Sequence, residues 1–292
     1  MTSQASPSIA QLLPVPAWVL SLFPRPGWEA LSPSLRCIHW QQFLLATFSI
    51  SNAVALDANA LADAVDAAYQ ELGRLMQRSH ASHPVRYWNF LPDIHADMGA
   101  GLDRYMAFNV GRHRAMQAQM TTADCIPTAS AVGHFHSDLV IHMLAATAPG
   151  RALSNPRQVD PVCYSSLFGP CPPCFSRATI VPRAGEVSLL LIGGTASVRG
   201  ELSMHVGNLV DQLEETCANL NALVKIASPP MALDDLTHIR AYVPDPSMHC
   251  TIRDYLRARF PLAADIELLP AELCRKDLLV EIEALAMFHQ GS

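Results

Sequence analysis

Apolar and polar positions set out two successive rounds of helix-spaced and strand-spaced segments. Arg36 to Ser51 reads as one or two strands with Phe43, Leu45 and Phe48 inward. From Ala58 to Ser79, Leu61, Val65, Ala68, Leu72 and Met76 recur at helical spacing, and Asp57 stands where an N-cap would satisfy the first free amides. Val85 to Asp93 predicts a strand ended by Pro92, Leu102 to about Gln119 a second helix, and Ser130 to Ser137 with the apolar residues after it further strand. The order then returns. Arg177 to Pro182 leads into the apolar run Leu189 to Ile192, and after His205 a helix runs to about Ile226. Leu236 to Asp245 is a strand, Met248 to about Phe260 a helix, and Ile266 to Leu269 and Leu278 to Ala286 finish the sheet. In the last segment Leu279, Glu281 and Glu283 alternate with Leu278, Val280 and Ile282, the pattern of a half-buried strand.

The two rounds match in detail. Tyr87-Trp-Asn-Phe-Leu-Pro-Asp93 corresponds to Ile239-Arg-Ala-Tyr-Val-Pro-Asp245, and each follows a helix of similar length. Two related α/β lobes account for this: an irregular Pro-rich arm over 1–35, a first lobe over 36–150, a Pro- and Cys-rich connection over 151–176, and a second lobe over 177–292. The connection is long for a loop, and its Tyr164, Phe168 and Phe175 predict an ordered, functional segment.

Composition narrows the function class. Half of the 292 residues are apolar and 16% are charged, enough for a large core. A net charge of −6 argues against nucleic acid as a partner, and no apolar run reaches the length of a membrane span. The first eighteen residues hold no Lys or Arg, so no secretory signal is expected and a cytoplasmic location is. Of eight cysteines only Cys171 and Cys174 have a ligand-like spacing, and the two further close ligands of a zinc site are lacking.

Candidate chemistry centres on Leu189 to Gln212. A buried strand breaks into Gly193, Gly194, Thr195, Ala196 and Ser197, and a single acid, Glu201, follows before a helix. Glycines here permit close approach of a ligand to the backbone. Glu201 is either an acid placed over that backbone or a surface residue in the first turn of a helix.

Several motifs in this order resemble the chorismatases, a branch of the RidA/YjgF-like (chorismate mutase-like) fold. They are Arg86 to Ile94, Tyr105 to Arg112, Asn155 to Gln158, Tyr164 to Pro170, Phe175 to Ala178, Gly194-Thr-Ala-Ser197 and Cys274 to Glu283. The resemblance implies an α/β (α+β) fold of mixed-sheet lobes with packed helices in a pseudo-threefold arrangement, acting as a monomer or at most a weak oligomer. It implies cleavage of the enolpyruvyl ether of chorismate to pyruvate and either 3-hydroxybenzoate or a dihydroxycyclohexadiene carboxylate, with no metal or organic cofactor. A small residue at Gly194, where family members differ, favours 3-hydroxybenzoate.

On that reading Glu201 is the general acid that protonates the enol ether; a register one residue later would put Leu202 there. An ordinary Glu, with pKa ~4.3, is protonated only about once in 500 at pH 7, so a desolvated setting is required. The two substrate carboxylates call for forked cations. Arg177 is the first choice and Arg112 the next, while Arg157 and Arg275 are expected in surface or inter-lobe pairs. Tyr105 and Tyr164 supply hydroxyl donors, and Gly133, Gly194 and Thr195 complete the expected binding set. His134, His136 and His205 are expected to be structural. Two other readings stay open: a Rid-type imine deaminase, weakened by the lack of Arg between Arg259 and Arg275, and a non-catalytic ligand-binding protein.

Overall fold

The computed structural model describes residues 13–25, 27–119, 126–183 and 187–289. The start of the Pro-rich arm, Pro26 and Cys125 lie outside the described residues.

The first lobe contains β1 (Glu29–Ala30), β2 (Leu35–Trp40), β3 (Phe43–Ile50), β4 (His83–Pro92), β5 (Thr128–His134) and β6 (Leu139–Ala146), in the order β1-β2-β3-β6-β4-β5. The second contains β7 (Arg151–Leu153), β8 (Ala178–Pro182), β9 (Val187–Ala196), β12 (Leu236–Val243), β13 (Asp265–Pro270) and β14 (Glu281–His289), in the order β13-β12-β14-β9-β8-β7. The two-residue strands β10 (Val198–Arg199) and β11 (Leu202–Ser203) form a separate hairpin. A short helix α1 (Ala17–Ser21) lies in the arm. Helices α2 (Ala58–Gln77) and α3 (Arg104–Gln119) belong to the first lobe, and α4 (Leu209–Ile226) and α5 (His249–Arg259) to the second.

The internal echo recurs in the strand pairing. β4 pairs parallel with β5 and antiparallel with β6, and β12 pairs in the same way with β13 and β14. Even the irregularities match: β4 shifts register between Pro84 and Arg86, and β12 shifts between Leu236 and His238. The described residues build two lobes; the third that a pseudo-threefold would need is not among them.

Three apolar layers hold the lobes. One, around Leu61, Tyr69, Leu72 and Phe108, lies between the first sheet and α2 and α3. A second, around Leu220, Leu223, Ile252 and Val280, lies between the second sheet and α4 and α5. The middle layer joins Trp88, Phe90 and Leu144 to Leu189, Leu191, Tyr242 and Leu285, so the two sheets share a core. The echoed aromatics Phe90 and Tyr242 meet there edge to face at 6.5 Å.

Periodicity located the helices well. Asp57 accepts a hydrogen bond from Ala60 N at 2.9 Å, and the five apolar positions read on α2 are all buried. Three expectations change. The segment 151–176 opens with β7, which pairs with β8 as the edge of the second sheet. β9 does not end at Gly193 but runs on to Ala196. β14 is not half-buried, for Glu281 is 5% and Glu283 4% exposed. Its even-numbered side chains face the helices, and Glu281, Glu283 and Leu285 face the other sheet, where Arg86 and Trp88 receive Glu283.

Candidate active site

β9 carries a bulge that aims the site. Thr195 pairs with Ile282 and Ile192 with Ala284, so Gly193 and Gly194 together oppose the single residue Glu283. Before the bulge Leu189 and Leu191 face the middle layer; after it Ala196 does. The flip turns Gly194 towards the inter-sheet space and Thr195 away from it, where the Thr195 hydroxyl donates to Gly193 O at 2.9 Å. Side chains would not fit at either glycine. A Cβ on Gly193 would come 2.7 Å from Thr128 Cγ2, and one on Gly194 would come 1.9 Å from Glu281 Oε1.

Between the lobes this geometry opens a cavity of about 780 Å³ that includes solvent at its mouth. Tyr105, Met106 and Arg112 of α3 form one wall and Ala129, Ser130 and Ala131 of β5 another. Gly194, Ala196 and Val198 meet Glu281 and Leu278 opposite them. Tyr164, Phe168 and Phe175 from the Pro- and Cys-rich connection and Arg177 just after it line the remaining side, with Cys274 and Arg275 beside them.

Three arginines face this space with donors to spare. Arg177 donates through Nη2 to the Tyr164 hydroxyl at 2.6 Å and Val159 O at 3.2 Å, and its buried Nε has no partner. Arg112 donates through Nη2 to Asn109 Oδ1 at 2.8 Å, and its buried Nε and Nη1 have none. Arg275 donates to Glu201 O at 2.8 Å and lies 4.0 Å over the Phe168 ring. Buried donors without partners are rare, and at the wall of a cavity they suit an anionic ligand.

Two acids, Asp103 and Glu281, are among the described lining residues, and Glu281 is the buried one. Burial, and after it the neighbouring Glu283, push its pKa up to about 8, against the pull of Arg86, Arg177 and Arg275. It is therefore largely protonated at neutral pH. Burial and Glu281 likewise push the Cys274 thiol up to about 12.

The expectation for Glu201 is corrected. Val198–Arg199 pairs antiparallel with Leu202–Ser203, so Gly200 and Glu201 are the tip of a two-residue hairpin, with Gly200 at φ +60° as such turns require. The Glu201 carboxylate accepts hydrogen bonds from Ser165 N at 2.9 Å and Ser165 Oγ at 2.8 Å, which hold it below the ordinary carboxylate range. It is not a desolvated acid.

The other expected residues divide. Arg177, Arg112, Tyr105, Tyr164 and Gly194 line the cavity, and Gly133 and Thr195 do not. Gly133 instead donates its amide to Glu272 O at 2.7 Å, where a Cβ would strike Ile94. Arg157 sits in the pair expected of it, 2.6 Å from Glu215, whereas Arg275 is at the cavity. The sequence did not single out Glu281 or Cys274, and Arg275, weighed as a candidate cation but expected in a surface or inter-lobe pair, lies at the cavity. The available signal was two acids at alternate positions of an otherwise apolar strand.

The family model described as "Chorismatase FkbO/Hyg5-like, N-terminal" matches residues 29–145. A 3-hydroxybenzoate synthase of Streptomyces hygroscopicus is 33% identical over 236 residues, which cover 77% of this chain and 69% of the relative. A chorismatase of Streptomyces rapamycinicus is 29% identical over 69% of this chain and 63% of the relative. Among solved structures, a chorismatase crystal structure superposes with TM-score 0.79 at 25% identity, covering 88% of this chain and 78% of that one. Sequence kinship across both lobes and the matching architecture agree: the chain belongs to the chorismatase family.

Proposed function

We propose that the protein cleaves the enolpyruvyl ether of chorismate to pyruvate and 3-hydroxybenzoate, with Glu281 as the general acid. The observation that carries this is the meeting, in one cavity, of the buried Glu281 carboxyl, its pKa pushed up by burial, with three arginines. Chorismate is a dicarboxylate, and the partnerless donors of Arg112 and Arg177 supply the forked recognition that its two carboxylates need.

The chemistry follows from the acid. Glu281 gives its proton to the terminal methylene carbon of the enolpyruvyl group, and the ether becomes an oxocarbenium ion. Nearby arginines stabilise the carboxylate left on Glu281 and hold the ring. As the ring C–O bond breaks and pyruvate leaves, the oxygen of the neighbouring ring hydroxyl gives up its proton and closes onto the carbon that bore the ether. The epoxide then reopens, with protonation of its oxygen, at the carbon that first bore the hydroxyl. Loss of the ring proton from the carbon that now holds the oxygen gives 3-hydroxybenzoate. A carboxyl with its pKa near 8 is basic enough to take that ring proton back, so the site returns to its starting state. The two products together contain all the atoms of chorismate, so no water is consumed; the dihydroxycyclohexadiene outcome would consume one. Lining by Ala129, Ala131, Ala196, Val198 and Leu278 beside the acid favours the water-free course.

The test is incubation of purified protein with chorismate, with both products quantified by chromatography. Equal amounts of pyruvate and 3-hydroxybenzoate are expected. Absence of pyruvate would refute the activity, and pyruvate accompanied by the dihydroxy acid would refute the product.

A further inference from the structure

Glu281 and Glu283 project from the same face of β14, yet their surroundings are opposite. Glu283 lies outside the cavity lining and is surrounded by donors. It accepts from Trp88 Nε1 at 3.0 Å, from the Tyr242 hydroxyl at 3.1 Å and from the Ser130 hydroxyl, and Arg86 pairs with it at 2.6 Å. All four are buried, and three come from the other lobe. Four donors, one of them the Arg86 guanidinium, fix this carboxyl in place. Glu281, by contrast, accepts no hydrogen bond from the described residues.

We propose that Glu283, fixed by Arg86, Ser130, Trp88 and Tyr242 on the same face of β14 as Glu281, is a positioning residue that adds to burial in favouring the acid form of Glu281. The inference rests on the role given to Glu281 above. Two carboxyls in contrasting settings divide the work between them: one carries the proton, and the other, tied to Arg86, helps to keep it there. The bulge at Gly193–Gly194 opposite Glu283 leaves the backbone room for Arg86, since a Cβ on Gly193 would stand 3.2 Å from Arg86 Nη1. The groups facing Glu281 are Glu283 and Tyr105, the cations Arg86, Arg177 and Arg275, and the Cys274 thiol. Asp103 and Arg112 line the same cavity, and Glu283, paired with Arg86, is the acid that acts with burial against the pull of the cations on Glu281.

Glu283→Gln therefore lowers the pH at which activity is lost. The alkaline limb of kcat/KM should move down by about one pH unit or more, while Glu283→Asp, which keeps the charge, leaves the limb in place even if kcat falls. A Glu283→Gln profile reduced by one factor at every pH would reduce Glu283 to a packing role and overturn the proposal. Infrared spectra of protein labelled with 13C-glutamate decide the matter if Glu283→Gln does not fold. Wild type at pH 7 should show one buried protonated carboxyl, lost in Glu281→Gln; two such bands, or none, would overturn it. A wild type that releases no pyruvate would instead refute the function, whatever the spectra show.

Discussion

Gly194 and Glu281 face one another across β9 and β14 so closely that a Cβ on the glycine would stand 1.9 Å from Glu281 Oε1. The missing side chain is the space the acid occupies. Gly194→Ala must displace the carboxyl, and a misplacement of about 1 Å can cost ~100-fold in rate. We expect pyruvate release to fall by about that factor while the thermal midpoint moves only a few degrees. An alanine variant with wild-type turnover would show that the carboxyl has other room.

Glu201 serves a different purpose from the one its sequence context suggests. Its carboxylate ties the hairpin tip to Ser165, and the segment beyond Ser165 brings Phe168 over the cavity. Glu201→Gln keeps an oxygen for that contact and should retain at least about a third of wild-type kcat, far above the loss that follows removal of a general acid. Glu201→Ala removes the tie and should raise KM for chorismate more than it lowers kcat. Steady-state kinetics of both variants check this.

Arg177 tests substrate recognition. Arg177→Lys keeps the charge but loses the fork, and a charge-assisted hydrogen bond contributes about 1.5–3 kcal/mol. A fall of at least tenfold in kcat/KM is expected, with the thermal midpoint nearly unchanged. Unaltered kinetics would remove Arg177 from the site.

Most of the architecture was readable because it rests on period and repetition. The helix spacing of Leu61 to Met76, and the echo of Tyr87–Asp93 in Ile239–Asp245, are local signals, and the lobes follow from them. The acid was hidden for a physical reason. Alternating Glu281 and Glu283 look like a solvent-facing strand edge, because sequence does not show that the polar face is covered by a second sheet whose Arg86 and Trp88 lie far away in the chain. The Gly193–Gly194 pair misled in a related way. It marks a bulge inside β9, and that bulge, rather than a strand end, turns Thr195 away from the cavity.

The raised Glu281 pKa also appears in stability. Its value of about 8 in the folded protein lies above the ordinary 4.5, so between these pH values the folded state binds more protons than the unfolded one. Stability from this group is fully present below about pH 4.5 and is lost as the pH rises through about 8. Denaturant midpoints of wild type should therefore decline from pH 5 to pH 8.5 more steeply than those of Glu281→Gln, in which the slope from this group is absent. Parallel curves would mean an ordinary carboxyl.

The most direct test of the account is turnover of Glu281→Gln on chorismate. Glutamine keeps the size of the side chain and removes the transferable proton. Pyruvate release should drop by about two to four orders of magnitude, the usual contribution of a general acid, while a dicarboxylate substrate analogue still binds because Arg112, Arg177 and Arg275 are intact. The wild-type rate itself should fall as the pH rises through about 8, with no corresponding fall near 4.5. A Glu281→Gln enzyme within threefold of wild type would place the acid elsewhere and contradict the mechanism.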